Sequence, residues 1–241
     1  MSVLPSHIDK NRFSMKRLFL LSFLAVAMLS GCNGNVSRQA GEDIGNECCA
    51  GKQATPLTRE EIKSRSFGEL FDTIDVKNIR EDVFTLVGED YGILTAGTPE
   101  KFNSMVTSWG GWGIVFGKPG VFHFLRSNRY TLELMREQQV YTVSFFDNEF
   151  KDDIMQFGMK SGRDSDKMKE TKLTAVQTPD GNPAYKEAKI ILECCLAEVT
   201  TVVPEDFYNE EDRKFVVDAH AETGEYHKLV LSQITKAWVR K

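Results

Sequence analysis

A mainly β domain with peripheral helices, built as a closed or partly closed antiparallel barrel, is the fold class this sequence predicts. Three observations point to it. Short apolar or β-branched runs recur between residues 83 and 146, with glycine-rich turns between them. A long β-rich run fills 188–203 and stops at Pro204, and a last one closes the chain over 228–239. Within this region only 131–139 and 149–159 carry the composition and spacing of helices.

The chain has 241 residues, room for one large domain or two small ones. A net charge of −5 argues against nucleic acid as the partner, and there is no basic arm, zinc-type cysteine spacing or internal repeat. Residues 1–31 read as a signal peptide. Lys16 and Arg17 form its charged start, and 18–28 is an apolar run broken only by Ser22. That run is shorter than the roughly 20 residues a membrane-spanning helix needs. Leu29-Ser30-Gly31-Cys32 resembles a bacterial lipobox, which implies cleavage before Cys32, a lipid on that cysteine, and export to a bacterial membrane (periplasmic or outer-membrane associated). Met15 stands directly before the charged start, so either Met1 or Met15 fits the true beginning, and 1–14 would then be a misread extension.

Residues 32–66 read as a tether, because their polar, Gly-rich composition buries too little apolar surface to offset the entropy of ordering. Cys48 and Cys49 lie in it. Adjacent cysteines pair with each other only under strain, so a bridge to another protein or to Cys194 or Cys195 competes with two unpaired thiols. Thr58 with Glu61 three residues on is a capping-box pattern that starts a short helix. The domain proper is expected over 67–241.

Within the domain, 83–87 and 91–96 flank Gly88-Glu89-Asp90 and read as a hairpin. Strands follow at 103–108, 113–116 and 121–125, then the helix at 131–139 and a buried strand at 140–146. In the helix at 149–159, Phe150, Ile154 and Phe157 share a face. Residues 161–166 and Pro179-Asp180-Gly181-Asn182-Pro183 are turns. The acidic segment 207–215 reads as a loop or one helical turn.

The stretch 103–131 is where chemistry concentrates. Asn103, Ser104, Thr107 and Ser108 place polar groups along one strand, with Met105 and Val106 between them and Trp109 and a glycine pair after it. A second strand then runs into Arg126, Arg129 and Thr131 at a helix start. Free N–H groups, the positive helix end and two arginines suit a phosphate. Lys160, Ser161 and Gly162 form a second cationic, amide-rich turn able to reach the same group. The pattern fits a phosphorylated planar ligand; aromatics and glycines of an ordinary β core are the plainer alternative. Trp109 and Trp112 fit ring contact or a subunit interface equally.

Ordered matches over about 70–240 sharpen this reading. They are LTAGTPEKF (94–102), NSMVTSWGGWG (103–113), GKP (117–119), FLRSNRYT (124–131), TVSFFDNEF (142–150), KSGRDSDK (160–167), LEC (192–194) and GEYHKLVLSQI (224–234). Together they resemble the flavin reductase-like family, the FMN-binding split β-barrels that include flavoredoxins. The resemblance implies a homodimer with FMN near the interface. It places the residues from Asn103 to Ser108 beside the flavin, with His227 of the Tyr226-His227 pair near the flavin or a nicotinamide as the catalytic candidate.

The activity implied is hydride transfer from NAD(P)H, or electrons from a redox partner, through FMN to an acceptor. No G-x-G-x-x-G fingerprint indicates a separate nicotinamide domain. Export away from the cytoplasmic nicotinamide pool favours, as an alternative, a lipid-anchored flavin-binding or electron-transfer module without nicotinamide activity. A split barrel that has lost its flavin is the third possibility. Cys194 and Cys195, adjacent in a strand, face opposite sides, and nothing beside Cys194 marks it as reactive. No metal site is expected, since the histidines are scattered singly.

Overall fold

The computed structural model describes residues 57–241. The signal segment, the Cys32 lipid site, Cys48, Cys49 and most of the tether lie outside the described residues.

Two short helices come first, α1 (Arg59–Ser64) and α2 (Phe67–Leu70). The expected capping box is formed at α1: the Glu61 carboxylate accepts from the Thr58 backbone N–H at 2.8 Å, and Thr58 Oγ1 accepts from the Glu61 N–H at 3.3 Å. Ser66 and Glu69 repeat the device at α2. Ile62 and Leu70 are buried, so this segment is docked on the domain by apolar contact.

The remaining elements are β1 (Phe71–Thr73), β2 (Gly92–Thr98), β3 (Lys101–Thr107), β4 (Gly110–Val115), β5 (Lys118–Arg126), α3 (Tyr130–Gln138), β6 (Val140–Phe145), α4 (Lys151–Met159), β7 (Ala175–Gln177), β8 (Pro183–Tyr185), β9 (Ile190–Thr201), α5 (Glu210–His220) and β10 (His227–Arg240). Eight strands make one antiparallel sheet in the order β3-β2-β6-β9-β10-β5-β4, with β1 added on β10; β7 and β8 pair separately. The sheet does not close, so the expected partly closed barrel is a split one.

Its two free edges, β3 and β4, are consecutive in the chain and joined only by Ser108 and Trp109. The joint is fixed by the Phe124 N–H, which donates to the Trp109 carbonyl at 3.1 Å. Gly110 (φ 148°) follows, where a Cβ would stand 2.1 Å from the Phe122 carbonyl oxygen; only glycine brings the backbone this close to β5.

Two expectations are corrected. The run 83–87 is not the first arm of a hairpin. Asp82 accepts from the Phe84 N–H at 3.1 Å and from the Thr85 hydroxyl at 2.8 Å, which starts a helical segment that continues as a π-helix over Thr85–Asp90. Leu86 and Val87 reach the core from that helix. The hairpin is instead β2–β3, with Thr98 opposite Lys101 across Pro99-Glu100.

The acidic segment 207–215 is likewise more than one turn. Asn209 accepts from the Glu211 N–H at 2.9 Å, and Glu210, Glu211 and Asp212 lie in the first turn, where the helix dipole favours carboxylates; α5 runs on to His220.

One core fills the barrel, with Leu94, Val121, Leu125, Tyr141, Val143, Leu192 and Val230 closed at one end by Leu132 and Met135 of α3. A second lies on the outer face, where Phe150, Ile154 and Phe157 pack on Tyr185, Ile191 and Trp238. The three residues expected on one face of the 149–159 helix are thus buried together, although Phe150 belongs to a 3₁₀ turn before α4.

Candidate functional site

Two adjoining cavities run along β3. One, of ≈250 Å³, is lined by Asn103, Met105 and Val106, the start of α3 from Arg129 to Thr131, the turn carrying Lys160, Ser161 and Gly162, and Lys167. The other, of ≈270 Å³, is lined by Met105, Val106, Thr107, Ser108, Trp109, Arg126, Arg129 and His227. Met105, Val106 and Arg129 border both, so the two make one groove.

Ser104 lines a neighbouring cavity of ≈580 Å³, which shares Asn103, Tyr130, Phe157, Gly162 and Lys167 with the first. The Ser104 hydroxyl is within 2.8 Å of Thr95 Oγ1 and 2.7 Å of Tyr185 Oη, on the side of the outer core. Trp112 is outside the groove; it packs edge-on against Phe145 at 5.5 Å, beside the barrel core.

The first cavity has a rigid wall. Asn103 Nδ2 donates to Thr131 Oγ1 at 2.8 Å, and both residues are buried. Gly162 lies directly on Asn103: a Cβ there would fall 1.8 Å from Asn103 Oδ1. Three residues far apart in sequence, on β3, α3 and the turn after α4, are thereby interlocked.

The charges around the groove sort by partner. Lys160 pairs with Glu170 at 2.9 Å, and Arg163 pairs with Glu133 and donates to the Asn128 carbonyl. Arg126, Arg129 and Lys167 have no carboxylate within ion-pair distance among the described residues.

Lys167 is buried, and its amine donates to the Ser104 carbonyl at 2.9 Å and the Phe157 carbonyl at 2.7 Å. Burial, and then the Arg129 charge, pull its pKa down to about 8. Burial and Arg126 lower that of Arg129 in turn. Three cations without a carboxylate partner, beside an open helix start which no side chain caps, make a setting that suits an anion. Below them Thr107 Oγ1 is buried with no partner among the described residues.

His227 opens β10 at the far end of the groove. Its Nδ1 lies 2.5 Å from His220 Nε2, and His220 Nδ1 lies 2.5 Å from the Val216 carbonyl oxygen. A carbonyl only accepts, so His220 Nδ1 carries a proton. With His220 neutral, its Nε2 accepts from His227 Nδ1–H, which leaves His227 Nε2 as a free proton acceptor. Burial, then His220, Arg126 and Arg129, hold the His227 pKa down at about 4. Trp109 lies against the His227 ring at 5.0 Å between centroids.

Nothing in the sequence marks Lys167 or His220 as site residues. Lys167 ends the matched stretch 160–167, but nothing there distinguishes it from any other lysine in a turn. His220 falls beyond the segment read as a loop.

The family model for the flavin reductase like domain matches residues 87–241. The chain belongs to this flavin reductase-like family. No curated protein matches it. Among solved structures, an FMN-binding domain of a flavin reductases-like enzyme from Shewanella baltica is similar, with 13% identity, a TM-score of 0.50, and 70% of this chain and 76% of that one covered.

An FMN-binding protein from Thermus thermophilus with bound 1-cyclohex-2-enone gives 17% identity and a TM-score of 0.49, over 70% of this chain and 80% of that one. A flavoredoxin from Methanosarcina acetivorans gives 19% and 0.47, over 68% and 75%. At 13% identity and a TM-score of 0.50, the Shewanella likeness speaks for the fold alone of this flavin reductase-like chain.

Proposed function

We propose that this chain binds FMN in the groove along β3 and acts as an oxidoreductase of the flavin reductase or flavoredoxin type, carrying electrons from a reduced donor, NAD(P)H or a redox partner, to an acceptor. The observation that carries the proposal is the set of unpaired cations, Arg126, Arg129 and Lys167, at the open start of α3. They fit a phosphate dianion, and the buried, unpartnered Thr107 hydroxyl in the same wall fits a polar ring edge. Arg126, Arg129, Lys167 and the first-turn N–H groups near Thr131 would hold the phosphate, with Lys160, Ser161 and Gly162 closing that end. Asn103, Met105, Val106, Thr107, Ser108 and Trp109 would line the ring and its side chain.

Bound there, FMN would supply hydride and electron-pair chemistry. The protein's own part is to hold the anion, exclude water along β3 and manage a proton. His227 Nε2, neutral at pH 7 and backed by His220, is the acceptor positioned for that proton.

The signal and lipobox motifs favour a second reading of the same site, a lipid-anchored electron-transfer module that takes electrons from a membrane or protein donor and not from nicotinamide. We extend the proposal to a lipid on Cys32 and a homodimer. Purification without added flavin tests the core of it: FMN near one per chain supports the groove, whereas a folded, colourless protein that takes up no FMN refutes it. Anaerobic bleaching by NADH or NADPH alone then separates the two donors.

A further inference from the structure

Beyond the groove a further cavity, of ≈420 Å³, lies between α5 and the β4–β5 hairpin. Its walls are aromatic: Trp109, Phe122, Phe124, Phe207 and Phe215. It adjoins the groove through Trp109 and His227, which line both. Apart from Asp212, its polar side chains are His220 and His227, the hydrogen-bonded pair.

Helix α5 covers this cleft loosely. Of its eleven residues only His220 is buried, and Phe215, which faces the cleft and lies 6.0 Å from Trp109, is 57% exposed. An aromatic-walled space with a half-wet apolar lid and one proton-active edge is built for a small planar molecule, apolar in its body and oxygen-bearing at one rim.

We propose that this cleft binds a two-ring quinone or its quinol, as the electron acceptor of the reaction proposed above, on which the assignment of that role rests. The histidine pair discriminates the two ligand forms by its own proton. Neutral, it presents a lone pair that accepts from a quinol hydroxyl; with one added proton it donates to a quinone oxygen. Reduction of quinone to quinol takes two electrons and two protons, the same number that a reduced flavin releases, so no further reductant is required.

Titration of 2-methyl-1,4-naphthoquinone into the purified full-length chain tests the cleft through quenching of tryptophan fluorescence, with FMN uptake measured separately by dialysis. The expected result is saturable quenching, weakened roughly tenfold by Phe215→Ala or Phe207→Ala with FMN uptake unchanged. Phe116→Ala, at an exposed position outside the cleft, should leave it unaltered. Far-UV circular dichroism confirms that the variants fold.

Equal binding of 2-methylnaphthalene, which lacks the oxygens, would overturn the quinone class. Absence of saturable quenching in a chain that still takes up FMN would overturn the proposal and leave the flavin reading intact. Quenching in a chain that refuses FMN would sustain the cleft and refute the flavin reading. If Phe215→Ala converts a dimer to monomers and the quinone fails to quench, the cleft is a subunit interface and the proposal falls.

Discussion

Acidification should destabilise this domain through one residue that takes no part in the groove, His123. The imidazole is 3% exposed, in the barrel core, and neither ring nitrogen has a hydrogen-bond partner among the described residues. Burial alone holds its pKa down at about 3, against an ordinary value of 6.5. The unfolded chain therefore binds this proton first. Stability is lost as pH falls below 6.5, and the loss ends near pH 3, where the folded state also takes the proton.

Between pH 7 and pH 5 the linkage comes to about 2 kcal/mol from this residue alone. His123→Leu removes the titration and two unsatisfied nitrogens together, so at pH 7 it should be neutral or stabilising, within about 1.5 kcal/mol. The assay is urea denaturation of wild type and variant at pH 7 and pH 5. His227 and the carboxylates titrate in both proteins and cancel in the comparison. A variant that loses as much stability as the wild type over that interval would refute the argument.

Other outcomes follow from the groove. Arg126→Gln and Arg129→Gln should each weaken FMN binding by about ten- to a hundredfold, the range for a charge-assisted bond, while riboflavin, without the phosphate, binds as before; calorimetric titration of both ligands checks this. Gly162→Ala forces a Cβ onto Asn103 Oδ1 and should cost about 1–3 kcal/mol, read as a lower Tm. Lys167→Met leaves the buried Ser104 and Phe157 carbonyls without their shared donor and should cost about 1–3 kcal/mol in denaturant unfolding, on top of weakened FMN binding. Asp82→Ala removes both bonds that start the helical segment before β2 and should lower stability by about 1 kcal/mol, checked by thermal melting.

The strands were legible where local pattern and burial agree. Residues 121–125 alternate between barrel and surface within β5, and the long run at 190–201 ends where Pro204 cannot extend it. The 83–87 run misled because an apolar β-branched segment buries equally well from a helix; the deciding signal was polar, the Asp82 cap. Helix α5 was hidden by its own surface, since a helix that buries one residue in eleven leaves almost no apolar period to read.

The site was legible in the same measure. Arg126 and Arg129 stand at a strand-to-helix handover that local sequence announces. Lys167 does not, because its meaning comes from two carbonyls, 63 and 10 residues away. Ser104 shows the same: its hydroxyl partners, Thr95 and Tyr185, come from 9 and 81 residues away, so its setting beside the neighbouring cavity cannot be read locally.

The seam between β3 and β4 has a consequence for how the groove comes into being. Hairpins β2–β3 and β4–β5 join residues close in sequence, and such contacts form early. Each carries part of the groove, but the two are brought into one sheet only when β10 enters between β9 and β5, across more than a hundred residues of chain on the β5 side. That strand also delivers His227. The groove is therefore completed by a long-range pairing, and the moment a refolding chain first captures its ligand marks the docking of its C-terminal strand.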